Sequence, residues 1–96
     1  MKYYVYILEN VKGRHYIGTT TEPSRRLTEH NSGSTRSTRP FGPWKLIYKE
    51  DFDSRQDACK REWYLKHAKG YKEKLRIIKN FGGVESNVWR DARVVE

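Results

Sequence analysis

The sequence predicts a single α+β domain, on three observations. Three short runs are rich in β-branched and aromatic residues, three stretches carry helix-start or helix-stop signals, and they follow one another as strand, strand, helix, strand, helix, helix. The 96 residues leave room for one core. Residues 1–80 are expected to form the domain, and residues 81–96 a C-terminal tail, docked or partly flexible.

Residues 2–9 (KYYVYILE) read as the first strand. A period of two puts Tyr4, Tyr6 and Leu8 on one face and Tyr3, Val5 and Ile7 on the other, so both faces are apolar and a central strand is expected. Asn10 to Gly13 supply turn chemistry, and residues 14–20 return as the second strand of a hairpin. If Tyr6 pairs with Tyr16, Tyr4 faces Gly18, whose missing side chain leaves room beside the phenols. A slip of one residue would send Tyr16 to the opposite face.

Pro23 in a first turn starts a helix over about residues 22–31, which Leu27 anchors and Asn31-Ser32-Gly33 ends. Arg26 and His30, one helical turn apart, share a face. Residues 31–43 (NSGSTRSTRPFGP) form a loop longer than most connections, the length of a functional or a mobile loop. Residues 44–52 (WKLIYKEDF) read as the third strand. Asp53-Ser54 cap a helix, Asp57 standing where a capping box has Glu or Gln. That helix runs to about Ala68, and Gly70 interrupts it. Residues 71–80 form a last helix expected to bury Leu75 and Ile78, with Tyr71 a further candidate. In the tail, Val88 and Trp89 point to docking.

Twenty Lys and Arg against twelve Asp and Glu give a formal net charge of +8. That excess favours a polyanionic partner, most often nucleic acid, over the simpler reading of solubility. No apolar stretch is long enough to span a bilayer, and no helix pairs a basic face with a broad apolar one, so a membrane partner is not expected. The N-terminus has no signal-peptide layout, so the chain reads as cytoplasmic. The single cysteine, Cys59, excludes an internal disulfide and reads as a small buried hydrophobe.

The middle helix holds a carboxylate in an unexpected place. Glu62 falls about 40° from Ala58, within the stripe that Ala58, Cys59, Trp63 and Leu65 define. A glutamate among core positions costs several kcal/mol unless it is paired, metal-bound or protonated. Two readings stand: an internal ion pair with an arginine, or a ligand held in a cleft for Mg²⁺ or Mn²⁺.

Tyr4-Val5-Tyr6, Tyr16-Ile17-Gly18, Arg25-Arg26-Leu27-Thr28-Glu29-His30-Asn31, Gly42-Pro43-Trp44 and Ala58-Cys59-Lys60-Arg61-Glu62-Trp63 together resemble the GIY-YIG nuclease family. The likeness is greatest to small single-domain bacterial members and to the nuclease subunit that cuts branched DNA. It implies a three-stranded antiparallel sheet flanked by helices, and a divalent-metal-dependent DNA endonuclease, structure-selective or weakly sequence-specific, in DNA repair or recombination. By resemblance Tyr6, Tyr16, Arg26, His30 and Glu62 are catalytic and Glu62 holds one Mg²⁺ or Mn²⁺. The proton-abstracting role belongs to either tyrosine, with His30 a relay. A nearby cation is expected to lower the phenol's pKa. Arg25, Arg36, Arg39 and Lys60 are candidate contacts to DNA, branched or single-stranded. Phe41 and Trp44 are read first as packing, then as stacking partners for an unpaired base. Tyr4 replaces the glycine of the first motif, and the family's late asparagine falls on Asn80 or Asn87. Two alternatives remain: a nucleic-acid-binding module with little turnover, and a subunit active only beside a protein partner.

Overall fold

A computed structural model describes residues 1–36 and 38–82. The expectations for Asn87, Val88 and Trp89 fall outside the described residues. Strands β1 (Tyr3–Asn10) and β2 (His15–Thr20) form a hairpin, followed by α1 (Pro23–Asn31), β3 (Trp44–Phe52), α2 (Arg55–Lys66) and α3 (Tyr71–Phe81). The sheet is antiparallel in the order β2-β1-β3. The doubly apolar strand is therefore central, with Val5, Ile7 and Leu8 wholly buried.

The hairpin register differs from the one expected. Tyr6 lies opposite Gly18, and Tyr16 opposite Leu8. The turn decides this. Gly13, at φ +85°, supplies the left-handed residue that closes a three-residue loop. The Asn10 amide donates to the Arg14 carbonyl at 3.1 Å, and the Asn10 side chain accepts from the amides of Lys12 and Arg14 at 3.0 and 2.8 Å. The shift is by two residues, so Tyr6 and Tyr16 keep a common face.

A bulge between Ile7 and Leu8 on the β1–β3 ladder inserts an extra residue in β3. It allows Ile47 and Tyr48 both to join one core while Leu46 and Trp44 join the other. The first core packs Val5, Ile7, Ile17 and Ile47 against Ala58, Leu65 and Ile77 of the two later helices. The second packs Tyr6, Leu8 and Trp44 with Tyr16, Leu27 and Phe41. Burying an aliphatic side chain stabilises by about 1.5–3 kcal/mol, so the two layers together carry most of the fold.

Four residues of the later helices depart from expectation. Cys59 is exposed, as are Trp63 at 53%, Tyr71 at 53% and Leu75 at 44%. The buried stripe of α2 is rotated toward Arg61, whose Nε donates to Glu50 at 2.8 Å and whose Nη2 donates to Glu73. On α3, Ile77 is buried and Ile78 packs against the same core, Glu73 pairs with Arg61, and Phe81, 40% exposed, holds its ring 5.2 Å from that of Tyr48. A charged residue thus occupies each docking face, where a hydrophobic pattern cannot register it. Ser54 caps α2, its Oγ accepting from the Asp57 amide at 3.1 Å.

Candidate active site

The site forms where the β1–β2 hairpin meets α1. Tyr6 reaches it from the buried middle of β1, Tyr16 from the edge strand, and Arg26 and His30 from one face of α1. Gly18 makes the meeting possible. A Cβ there would stand 2.7 Å from the Tyr6 hydroxyl and 3.1 Å from Tyr16 Cε2. The absent methyl is the space in which the Tyr6 ring lies.

The Tyr6 hydroxyl lies 3.0 Å from His30 Nε2, and His30 Nδ1 lies 2.8 Å from Thr38 Oγ1. Thr38 Oγ1 also lies 3.3 Å from the Thr35 carbonyl, to which its hydroxyl can donate. In the tautomer that uses this bond, Thr38 accepts from His30 Nδ1–H and neutral His30 accepts at Nε2 from the Tyr6 O–H. His30 and Thr38 are almost wholly buried. The imidazole also lies 4.7 Å from the Tyr16 ring, and the two tyrosine rings are 6.2 Å apart.

Burial pushes the Tyr6 phenol up to about 12, with the charges of Tyr16 and Glu62 adding to it. The hydrogen bond and charge of Arg26 act the other way but are outweighed. The expected cation is therefore present, and burial wins: Tyr6 is a neutral phenol at rest, which corrects the expectation of a lowered pKa. Burial, then the Arg26 charge, holds His30 below its ordinary value, so the imidazole is neutral too. Arg26 donates from Nη1 to Glu29 at 2.7 Å, with 29% of its side chain still open to solvent.

Glu62 sits at the margin. Its side chain is 22% exposed, and its Oε2 is 2.6 Å from Lys66 Nζ. The partner is a lysine one helical turn on rather than the arginine of the ion-pair reading, and the carboxylate is not sealed in the core. Lys66 Nζ also lies 5.9 Å from the centre of the Tyr16 ring, which sets the Glu62–Lys66 pair beside the tyrosines. Among the described residues no three His, Cys, Asp or Glu side chains gather as a metal cage. One accessible carboxylate nevertheless fits Mg²⁺ or Mn²⁺, which keep most of their shell for water and phosphate oxygens.

Arg25, Arg36, Arg39 and Lys60 are all exposed, on α1, the following loop and α2. Arg25 lies 3.8 Å from both Glu22 and Glu29, and Arg39 Nε donates to the Gly33 carbonyl at 2.8 Å. Trp44 is packing: it is 5% exposed, and its indole N–H donates to the Thr38 carbonyl at 3.0 Å. Asn80 is exposed on α3. Sequence reasoning missed Thr38 and Lys66, and named Asn31 in its motif without a role. Asn31 donates from Nδ2 to the Trp44 carbonyl at 3.0 Å and accepts the Trp44 amide, tying α1 to β3. Only Lys66 had a readable signal, its spacing from Glu62.

A hairpin, a helix bearing Arg and His, and a carboxylate helix, closed around a three-stranded sheet, define a GIY-YIG catalytic domain. The family model described by that name matches residues 2–75, and the chain belongs to the GIY-YIG family. Its relatives include the UPF0213 protein YsiG of Lactococcus lactis, 41% identical over 82% of this chain and 77% of that one. Another is the UPF0213 protein BH0048 of Halalkalibacterium halodurans, 39% identical over 91% of this chain and 93% of that one. The solution structure of BH0048 matches with a TM-score of 0.52 at 35% identity, over 92% of this chain and 95% of that one. Protein EF2693 from E. faecalis gives 0.52 at 40% identity, over 79% and 83%. The family is a nuclease family whose members generally use a divalent metal, with DNA as the implied substrate. Among the described residues no helix is long and apolar enough to cross a membrane.

Proposed function

We propose that this protein is a divalent-metal-dependent DNA endonuclease, structure-selective or weakly sequence-specific, acting in repair or recombination in the cytoplasm. The observation that carries the reading is the chain from Tyr6 through His30 to Thr38, laid beside the open guanidinium of Arg26. Attack on phosphorus builds charge on the equatorial oxygens, which Arg26 braces with parallel hydrogen bonds. As Tyr6 takes a proton from the attacking water, its own passes to His30 Nε2, and Thr38 holds the imidazole in register. Burial is the larger cause of the low basicity of His30 and the Arg26 charge the smaller; an arriving phosphate offsets the second and eases proton transfer to the imidazole. Tyr16 lines the same face and is less buried than Tyr6, so a bound substrate that carries its water inward meets Tyr16 first. A cation at Glu62 would supply Lewis-acid polarisation of the phosphate. Arg25, Arg36, Arg39 and Lys60 would contact the sugar–phosphate backbone without reading bases.

The test is incubation of the purified protein with flapped, branched, single-stranded and duplex DNA in Mg²⁺ or Mn²⁺. Cleavage is expected, abolished by chelation and reduced at least a hundredfold in Tyr6→Phe and Glu62→Gln, from loss of proton transfer and of the metal ligand. Activity undiminished in Glu62→Gln would refute the metal assignment. The hold of Lys66 on Glu62 favours one second reading: the site matures only when DNA or a protein partner draws Lys66 away. Binding without cleavage by the isolated wild type, with turnover restored by a partner, would establish it.

A further inference from the structure

Beyond Tyr16 on the same face of the hairpin lies a groove that the catalytic reading does not use. The hairpin end (Asn10, Val11, Lys12 and Arg14) and the loop segment Pro40, Phe41 and Gly42 line a cavity of about 290 Å³. Both segments are held by one buried side chain. Asn10, 2% exposed, accepts from the amides of Lys12 and Arg14 and donates from Nδ2 to the Phe41 carbonyl at 2.8 Å. The Arg14 guanidinium lies flat enough on Phe41 for its central carbon to stand 4.0 Å from the ring centre. Arg14 is exposed.

The groove is in line with the site. Arg14 faces Asn10 at the end of the β1–β2 ladder, two residues before Tyr16, a separation of ~7 Å along an extended strand. Phe41 packs in the same layer as Tyr6 and Tyr16. Lys12 and Arg14 give the walls positive charge. A planar cation resting on an aromatic ring is the platform on which nucleobases stack, and stacking of this kind requires an unpaired base.

We propose that this groove holds an unpaired nucleotide next to the scissile phosphate, its base stacked on Arg14 and its phosphate against Lys12. The proposal deepens the nuclease reading and rests on it for the word scissile. It assigns a substrate class: DNA with at least one unpaired nucleotide beside the cut.

The experiment measures binding of a fluorescent oligothymidylate without divalent metal, next to an all-abasic strand of equal length. Arg14→Lys keeps the charge and removes the plane. It is expected to bind the thymidylate strand about tenfold more weakly than wild type and the abasic strand equally well. Arg14→Ala should weaken both. Equal thymidylate binding by wild type and Arg14→Lys, or equal losses on both strands, would overturn the subsite. The readout does not require cleavage, so an inactive protein that shows the base-dependent loss retains the subsite while the nuclease reading fails.

Discussion

Substitution of Gly18 by alanine isolates the contact on which the site is built. The added methyl would stand 2.7 Å from the Tyr6 hydroxyl and 2.9 Å from its Cζ, well inside van der Waals contact. Tyr6 is 1% exposed and cannot swing into solvent, so the ring must press into the core or the strands must part. Overpacking of this kind costs about 1–3 kcal/mol. Loss of the Tyr6–His30 hydrogen bond adds about 1 kcal/mol, and the lower chain entropy of alanine returns about 0.5–1 kcal/mol. A net loss near 2 kcal/mol lowers the melting temperature of a domain this size by about 8–16 °C. Urea unfolding of Gly18→Ala, Tyr6→Phe and the double variant measures it. Tyr6→Phe removes the atom nearest the new methyl, so the double variant should be less destabilised than the two single losses added together, by about 1 kcal/mol. Strict additivity, or a Gly18→Ala protein as stable as wild type, would refute the claim that the missing side chain positions Tyr6.

Three further outcomes are expected. The pKa of His30 is lowered in the fold, so its contribution to stability is complete above the unfolded value near 6.5 and fades as pH falls through the folded value. Urea titrations should therefore show the wild type losing more stability than His30→Gln between pH 7.5 and about 5; parallel curves would contradict this. Arg61→Met leaves Glu50 and Glu73 without their shared cation and should cost about 1–3 kcal/mol, with hydrogen exchange rising first in α3. Protection in α3 equal to wild type would show that the ion pairs do not hold it. Lys66→Met removes the competitor for Glu62, so if metal binds there the divalent-ion concentration for half-maximal cleavage should fall several-fold; a rise would place Lys66 on the substrate side.

The architecture was legible wherever one physical preference acted alone. The β-branched, aromatic β1 announced a central strand because both its faces were apolar, and Pro23, Ser54 and Gly33 marked helix ends because backbone geometry demands such residues there. Register was harder: it turned on Gly13, whose left-handed conformation fixes the loop, and the Tyr6–Tyr16 pairing carries no information about that. The helix faces misled because Arg61 and Glu73 dock by ion pairing across three elements, which one-dimensional periodicity cannot register. At the site, motif residues named Tyr6, Tyr16, Arg26, His30 and Glu62 by resemblance, and the structure places the first four together. Thr38 was invisible because its role depends on a loop returning to α1, a contact that local sequence does not encode.

The extra residue in β3 reaches further than the strand that contains it. Residues before Ile47 and residues after it are set to opposite parity, and Trp44, on the early side, ties the Thr38 carbonyl to the sheet. Deleting Ile47 would leave a strand of respectable length and composition, yet it would rotate the indole toward the helices and cast loose the segment that orients His30. A local irregularity remote from the phenols thereby reaches the loop that meets the imidazole.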